Sequence, residues 1–474
     1  MNINPYIFRG YDIRGIVDKE ITKEGVMHIG RAFGTFLKRK GINTAIIGRD
    51  CRETGPEYSK IIQESLNWAG IDTVDIGMEL VGTFYWAQYH LDIKGGVYIT
   101  ASHNPVDYNG FKLANDFSET LVSEDIQKLR KMIEEEDYDK ASKEGVHTEK
   151  NIREDYYKDI LSRFDGFKKM KVVVDPSCST AGEVAPEILK RAGLEVVESN
   201  CTVDSSFPIG TPDPTALENA ERLRDKVLET GADVGFSYDA DGDRIGIVDD
   251  KGNIVWNDVL VALFAKDVLL KNQGATIMYN TLCSRVVEDT ILENKGVPFM
   301  WRTGHSFLKK KNQEVMADFI GELSGHFFFS ADFYNHDDGI YSSLRLLNYL
   351  TRTEQSLSTA IESLPSYISS PEIKVYCSDE EKIDLTKEIA DKLKLELDNA
   401  EIIDDQRAGD GVRVDFEDSM FVIRYSQNAP YLTIKFEAKD QERYDYLRSY
   451  IRSLLEKYEE IDWNSKINVN TSSL

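Results

Sequence analysis

Asp233-Val234-Gly235-Phe236-Ser237-Tyr238 runs directly into Asp239-Ala240-Asp241-Gly242-Asp243-Arg244. The first half has the length and apolar content of a buried strand; the second is a polar loop with carboxylates at alternate positions. The same join occurs twice more. Residues 96–100 run into Ala101-Ser102-His103-Asn104-Pro105, and residues 318–320 run into Gly321-Glu322-Leu323-Ser324-Gly325-His326. Helical periods separate the strands, as in residues 21–40, where Val26, Ile29, Phe33, Phe36 and Leu37 share one stripe that stops at Gly41, and in residues 57–68. Strands at 44–47, 171–174 and 275–279 place the joins in three similar α/β units. Alternating strands and helices imply parallel sheets covered by helices, with ligands outside the carboxyl ends of the strands. Three units that each present one polar loop there point to a shared cleft.

The pattern changes near residue 370. Helices over 340–351 and 357–364 are followed by a linker at 365–371. A strand at 373–376, a helix at 381–397 and short strands at 411–416, 420–425 and 431–437 come next. The last helix carries Leu447, Tyr450, Ile451, Leu454, Leu455 and Tyr458 on one stripe. Strands in succession capped by helices read as α+β, and the residues beyond 462 read as a polar tail. The expected domains are 1–150, 151–255, 256–369 and 370–474.

The chain has 474 residues and a formal net charge of −25, which argues against a general nucleic-acid binder because phosphate backbones need a cationic face. A locally basic cleft for a small anion remains compatible with an acidic body. With 41% hydrophobic and 10% aromatic residues the chain can bury real cores, so it is no disordered acidic tail. Five cysteines, Cys51, Cys178, Cys201, Cys283 and Cys377, are scattered without a Cys-x-x-Cys pair, the pattern of a reducing compartment rather than of a disulfide framework or a zinc site. Arg9, Asp12 and Arg14 stand where a signal peptide needs apolar residues. The longest apolar stretch, 259–270, is broken by Lys266 and Asp267, well short of the roughly 20 residues a membrane crossing takes. The expectation is a soluble cytoplasmic protein with no nucleic-acid or membrane partner.

In extended chain, alternate side chains share a face, so Asp239, Asp241 and Asp243 can converge on one hard cation. An EF-hand opens with the same Asp-x-Asp-x-Asp, but its sixth position requires glycine and here holds Arg244, and strands rather than helices flank the loop. Three carboxylates leave an octahedral shell incomplete, to be finished by water or a phosphate oxygen, which suits Mg²⁺. Ser102 reads as a nucleophile, a phosphate acceptor or a turn residue; a phosphoserine there would supply the missing ligand oxygen. His103 reads as a poor triad base, because neighbouring side chains of extended chain point to opposite faces. Glu322 and Ser324, two residues apart, offer an acceptor and a hydroxyl to a polyol, or form a simple turn. Arg424-Tyr425-Ser426-Gln427-Asn428-Ala429-Pro430 is either a phosphate nest or a plain hairpin turn. Arg9, Arg14, Lys112 and Arg244 stand near these motifs and can offset phosphate charge.

Together Phe8-Arg9-Gly10-Tyr11-Asp12-Ile13-Arg14-Gly15, Thr100-Ala101-Ser102-His103-Asn104-Pro105, the 239–244 loop, the 321–326 loop and the 424–430 loop resemble the α-D-phosphohexomutase superfamily, in its order and over nearly the whole chain. The 321–326 loop and Thr303-Gly304-His305-Ser306 look most like the phosphomannomutase/phosphoglucomutase branch, which usually has Met where Leu323 stands. The resemblance implies four domains around a central cleft: three related α/β domains with mixed or parallel sheets and a C-terminal α+β domain like the TATA-box-binding protein. It implies that Ser102 carries a phosphoryl group, with Mg²⁺ between it and Asp239, Asp241 and Asp243. Glu322 and Ser324, with Tyr11 and His326, would bind the sugar, and Arg424, Ser426, Gln427 and Asn428 the non-reacting phosphate. Arg14, His103, Lys112, Arg244 and His305 would surround the reacting group for charge stabilisation or proton transfer. The family's phosphate loop usually reads Arg-x-Ser-Asn-Thr-x-Pro, so Gln427 and Asn428 depart from it and predict altered affinity. The implied reaction interconverts mannose or glucose 1-phosphate and 6-phosphate through a hexose 1,6-bisphosphate, which also acts as activator, in a monomer or dimer. A phosphoglucosamine mutase and a metal-dependent sugar phosphatase are the alternatives.

Overall fold

The helical period at residues 21–40 becomes the helix Lys23–Arg39, and its local chemistry explains both ends. Thr22 Oγ1 accepts from Gly25 N at 3.1 Å, Glu24 lies in the first turn and Lys38 and Arg39 in the last, as the helix dipole favours. Gly41, at φ +77°, turns the chain away. Val26, Ile29, Phe33, Phe36 and Leu37 are all buried, so the stripe read from the sequence is the face that packs. The computed structural model describes residues 3–426 and 430–474. They form two units: residues 3–256, 309–315 and 324–362, and residues 257–308, 316–323, 363–426 and 430–474.

The first unit holds two mixed sheets. In one, Gly95–Ile99 lies parallel to Thr44–Arg49, which is parallel to Asp72–Met78; on its other side Gly95–Ile99 pairs antiparallel with Tyr108–Asp116. In the other, Val234–Tyr238 is parallel to Lys171–Asp175 and antiparallel to Ile245–Asp249. Gly95–Ile99 and Val234–Tyr238 are buried along their whole length, as strands covered on both faces must be. Alternation alone predicted parallel sheets; the antiparallel partners arise because the chain doubles back after each polar loop instead of crossing over through a helix. Both loops therefore lie where a parallel strand meets its antiparallel neighbour.

In the second unit, Val297–Trp301, Thr276–Asn280 and Phe319–Gly321 are parallel. The last part of the chain is an antiparallel sheet of Glu401–Ile403, Gly411–Asp415, Ser419–Tyr425, Tyr431–Ala438, Ile373–Cys377 and Ile461–Asp462 in that order. Ile373, Val375 and Cys377 are buried while Lys374 and Tyr376 are half-exposed, the period-two pattern of a sheet covered on one face. Leu385, Ile389 and Leu393 of Lys382–Glu396, and Leu447, Ile451 and Leu454 of Gln441–Leu455, share their core.

Two expectations are corrected here. The linker at 365–371 contains the strand Ile368–Ser369, which pairs with Tyr431–Ala438. The residues beyond 462 are no free tail: Val469 exchanges backbone hydrogen bonds of 3.0 Å with Lys374, and Asn468 Oδ1 accepts from Tyr376 N at 2.8 Å. Both segments satisfy edge groups that the sequence leaves unassigned.

Arg413 is fully buried and grips Asp415 with two nitrogens at 2.8 and 2.9 Å, while Nη1 donates to the carbonyls of Thr281 and Cys283 at 2.7 and 2.6 Å. Arg413→Ala takes the close grip from Asp415, leaving it only Arg285 Nη1 at 3.6 Å, and removes the donor to two carbonyls; it should cost about 3–5 kcal/mol. The urea midpoint of the purified variant checks this; an unchanged midpoint refutes it.

Candidate active site

The Ser102 loop leaves Gly95–Ile99 and returns as Tyr108–Asp116. Ser102 sits in the left-handed region at φ +48°, which costs a non-glycine residue about 1 kcal/mol or more. Local bonds hold it there. Ser102 N donates to Thr100 Oγ1 at 2.7 Å, and that hydroxyl donates to Asp50 Oδ2 at 2.7 Å and lies 3.2 Å from Asp241 Oδ2. Ser102 Oγ donates to Asp239 Oδ2 at 2.9 Å and is 3.0 Å from His103 Nδ1. The expectation that His103 points away assumed extended chain, and the left-handed turn overturns it. With the hydroxyl hydrogen directed at Asp239, the contact to His103 is made by a hydrogen on Nδ1, so the imidazole is here a donor. The Arg244 charge, then burial, then Arg14 push the His103 pKa well below its usual value and keep the ring neutral.

Asp239, Asp241 and Asp243 occupy the loop that joins Val234–Tyr238 to Ile245–Asp249. Gly242, at φ +70°, lets it turn back, and a Cβ there would lie 2.7 Å from Leu80. The convergence read from the sequence is present, though a turn produces it rather than extended chain: three buried carboxylates each offer an oxygen, all within 4.8 Å of one another. Burial, then Asp243 and Asp241, drive the Asp239 pKa well above the carboxylate range. The cluster needs positive charge. Lys112 Nζ supplies some, 2.9 Å from Asp241 Oδ2 and 2.5 Å from Asp243 Oδ2; burial opposes its charge, but the two carboxylates outweigh that and raise its pKa. Arg244 Nε donates to Asp239 Oδ2 at 3.0 Å, and Nη1 lies 3.4 Å from Asp213 Oδ1. Asp241 Oδ1 is buried without a hydrogen-bond partner. Hard oxygens only, an excess of negative charge and one orphaned carboxylate oxygen fit a divalent cation such as Mg²⁺.

Arg14 reaches the same loop: Nη1 donates to Asn104 Oδ1 at 2.9 Å, and Nη2 pairs with Asp12 at 2.7 Å. Tyr11 is half-buried just before the strand Ile13–Ile16. His326 Nδ1 lies 2.7 Å from Asp337 Oδ2 and 3.8 Å from Asp243 Oδ1, and the buried Lys309 Nζ is 3.1 Å from Asp337 Oδ1. Ser324 is half-buried in the turn before His326.

In the second unit, Glu322 follows the strand Phe319–Gly321, is buried, and accepts from Gly304 N at 2.8 Å through Oε1. Gly304 precedes His305, the buried first residue of the helix His305–Val315. Arg424, near the end of Ser419–Tyr425, pairs with Asp410, and Ser426 N donates to Tyr431 O at 3.0 Å. Arg424 and Thr303 line one small cavity. Gln427 and Asn428 lie outside the described residues.

Sequence reading missed Asp50, Arg52, Thr100, Asp213, Asp337 and Lys309, all of which brace the groups above. Gly48-Arg49-Asp50 was visible as a polar turn at the end of a parallel strand, the place where ligand loops gather. Arg52 and Asp50 follow from that position. Asp213, Asp337 and Lys309 come from distant segments with no pattern of their own.

Three comparisons bear on the arrangement. Phosphoglucomutase/phosphomannomutase α/β/α domains I, II and III match residues 5–140, 154–252 and 256–367 in order. The phosphomannomutase/phosphoglucomutase of Pseudomonas putida is 40% identical over 453 residues, 96% of each chain. A phosphoglucomutase of Neisseria meningitidis is 35% identical over 465 residues, covering 98% of this chain and 99% of that one. The crystal structure of a phosphoglucomutase/phosphomannomutase family protein from Burkholderia thailandensis superposes with a TM-score of 0.88 at 33% identity, over 96% of this chain and 98% of that one. The antiparallel sheet that follows the third match makes the fourth, β-rich domain. On sequence and fold alike, the chain belongs to the phosphoglucomutase/phosphomannomutase family, and with it to the α-D-phosphohexomutase superfamily of isomerases.

Proposed function

We propose that this mutase interconverts hexose 1-phosphate and hexose 6-phosphate, with mannose and glucose as the sugars, by way of a phosphorylated Ser102. The observation that carries the reading is the Ser102 hydroxyl 2.9 Å from Asp239, inside a buried cluster of three carboxylates closed by Lys112 and Arg244. A hydroxyl so placed is a phosphoryl carrier whose charge has partners already in position.

In the forward direction the bond between Ser102 Oγ and phosphorus breaks, and one forms to the free sugar hydroxyl, whose proton leaves to a neighbouring base. The product is the 1,6-bisphosphate. After it turns end for end, the other phosphoryl group returns to Ser102 Oγ and the isomer departs. Added hexose 1,6-bisphosphate acts as activator by recharging Ser102. Lys112, Arg244 and Arg14 stabilise charge on the moving phosphoryl group, with His103 beside it, and His305 is a further candidate for proton transfer. Asp239, Asp241 and Asp243, with the Ser102 phosphoryl oxygen, would hold Mg²⁺, which when bound neutralises charge on the transferred group. Glu322, Ser324, His326 and Tyr11 read the sugar hydroxyls; Arg424, Ser426, Gln427 and Asn428 take the phosphate that does not react, at whichever end it stands. No helix among the described residues is long and apolar enough to cross a membrane, and all five cysteines are free, which supports a cytoplasmic location.

Initial rates on mannose 1-phosphate, glucose 1-phosphate and glucosamine 1-phosphate, with Mg²⁺ and a trace of hexose 1,6-bisphosphate, test the reading. Comparable rates on the first two without release of inorganic phosphate are expected. Activity confined to glucosamine phosphate would overturn the substrate assignment, and steady phosphate release alone would make the protein a phosphatase.

A further inference from the structure

We infer that Arg52 is the positioning residue that holds the Ser102 loop in one main-chain conformation through both halves of the reaction. The guanidinium is 2% exposed and donates to four carbonyls of one loop. Nη2 reaches Ser102 O and Asn104 O, each at 2.7 Å; Nη1 reaches Pro105 O at 2.7 Å and Tyr108 O at 2.9 Å. Nε lies 3.3 Å from Asp50 Oδ2, and the ring of Phe207 is 5.2 Å from the guanidinium carbon. Asp50 in turn accepts from Thr100 Oγ1 and, through its backbone nitrogen, donates to Ile99 O at 3.0 Å. One side chain thus ties both limbs of the loop to the end of the neighbouring parallel strand.

Every bond that Arg52 makes to the loop goes to a main-chain oxygen. This matters because the Ser102 side chain must change partners. Once phosphorylated, its Oγ has no hydrogen to give Asp239, and nearly two negative charges arrive beside three carboxylates. Repulsion and the lost bond would both release a loop that already keeps Ser102 at φ +48°. The grip of Arg52 is blind to that change, so the backbone stays set while the side chain is charged and discharged. A lysine keeps the positive charge but offers one nitrogen with three hydrogens, which cannot reach four divergent carbonyls. Arg52 touches neither the phosphoryl group nor any group that does, apart from the main chain it holds.

The inference rests on the phosphoserine reading above, and the test separates the two. Full-length parent, Ser102→Ala, Arg52→Lys and Arg52→Ala are incubated with glucose 1,6-bisphosphate and weighed intact. Steady-state rates and thermal midpoints are then measured, with and without methylguanidinium. The parent should gain one phosphoryl group and Ser102→Ala none. Arg52→Lys should keep KM within about twofold and lose kcat by roughly 10- to 100-fold, the scale that misplacing a reacting group by an ångström produces. Arg52→Ala should lose more and recover in part with methylguanidinium, a rescue that a merely structural defect would not show. A parent that gains no phosphoryl group overturns the phosphoserine reading, and this inference with it. A phosphorylated parent beside an Arg52→Lys enzyme of normal kcat overturns this inference alone. Should Arg52→Ala fail to fold, Arg52→Lys decides.

Discussion

Ser102→Ala should fold as the parent does and lose hexose phosphate turnover by roughly 10⁴-fold or more, the scale seen when a covalent nucleophile is removed. The two halves of the prediction rest on different bonds. The side chain contributes two hydrogen bonds, one given to Asp239 Oδ2 and one accepted from His103 Nδ1, and Asp239 Oδ2 keeps Arg244 Nε at 3.0 Å. Ser102 N still meets Thr100 Oγ1, and Arg52 still holds the carbonyl. The expected stability change is therefore about 1–3 kcal/mol. Catalysis has no such reserve, since no second hydroxyl among the described residues is bonded to the Asp239 carboxylate; Ser179 Oγ reaches only its backbone oxygen, at 3.3 Å. A thermal midpoint beside an assay coupled to glucose 6-phosphate formation checks both halves. Turnover near that of the parent would remove Ser102 from the reaction.

The site was legible in the sequence to the extent that it was local. Asp239, Asp241 and Asp243 stand within five residues, and a strand-to-loop join places them; the structure alters only the means, a turn at Gly242. Ser102 was legible as one of three possibilities, because a single hydroxyl carries no period. What escaped was long-range. Arg52 reaches Ser102 across 50 positions and Thr100 reaches Asp241 across 141, and no spacing rule encodes such pairs. His103 was misread for a related reason: pointing neighbours to opposite faces presumes extended backbone, and one left-handed residue cancels it. The fold behaved likewise. Helix Lys23–Arg39 and the buried strands announce themselves by composition. The antiparallel partners Tyr108–Asp116 and Ile245–Asp249 do not, since a strand's sequence does not state the direction of its neighbour.

Asp241→Asn should weaken Mg²⁺ binding by more than the tenfold to hundredfold typical of substitutions around a metal's direct ligands, while leaving the metal-free protein as stable as the parent or slightly more so. Asp241 Oδ2 faces the donor Lys112 Nζ at 2.9 Å, so the asparagine oxygen takes that side. The amide nitrogen must then replace Oδ1, the buried oxygen that lacks a hydrogen-bond partner. Two hydrogens would occupy the place of a lone pair, so the site loses a ligand atom as well as a charge. Without metal the balance runs the other way. Asp239 has its pKa raised by burial and then by Asp243 and Asp241, so removing one charge relieves repulsion, while Lys112 keeps Asp243 at 2.5 Å. Thermal midpoints against Mg²⁺ concentration read both effects without recourse to activity, because a ligand that binds only the folded state stabilises it by about 2.7 kcal/mol at a hundred times its dissociation constant. The variant's curve should start at or above the parent's and rise only at far higher Mg²⁺. Superimposable curves would mean that Asp241 is not a ligand, and the orphaned oxygen would then need another explanation.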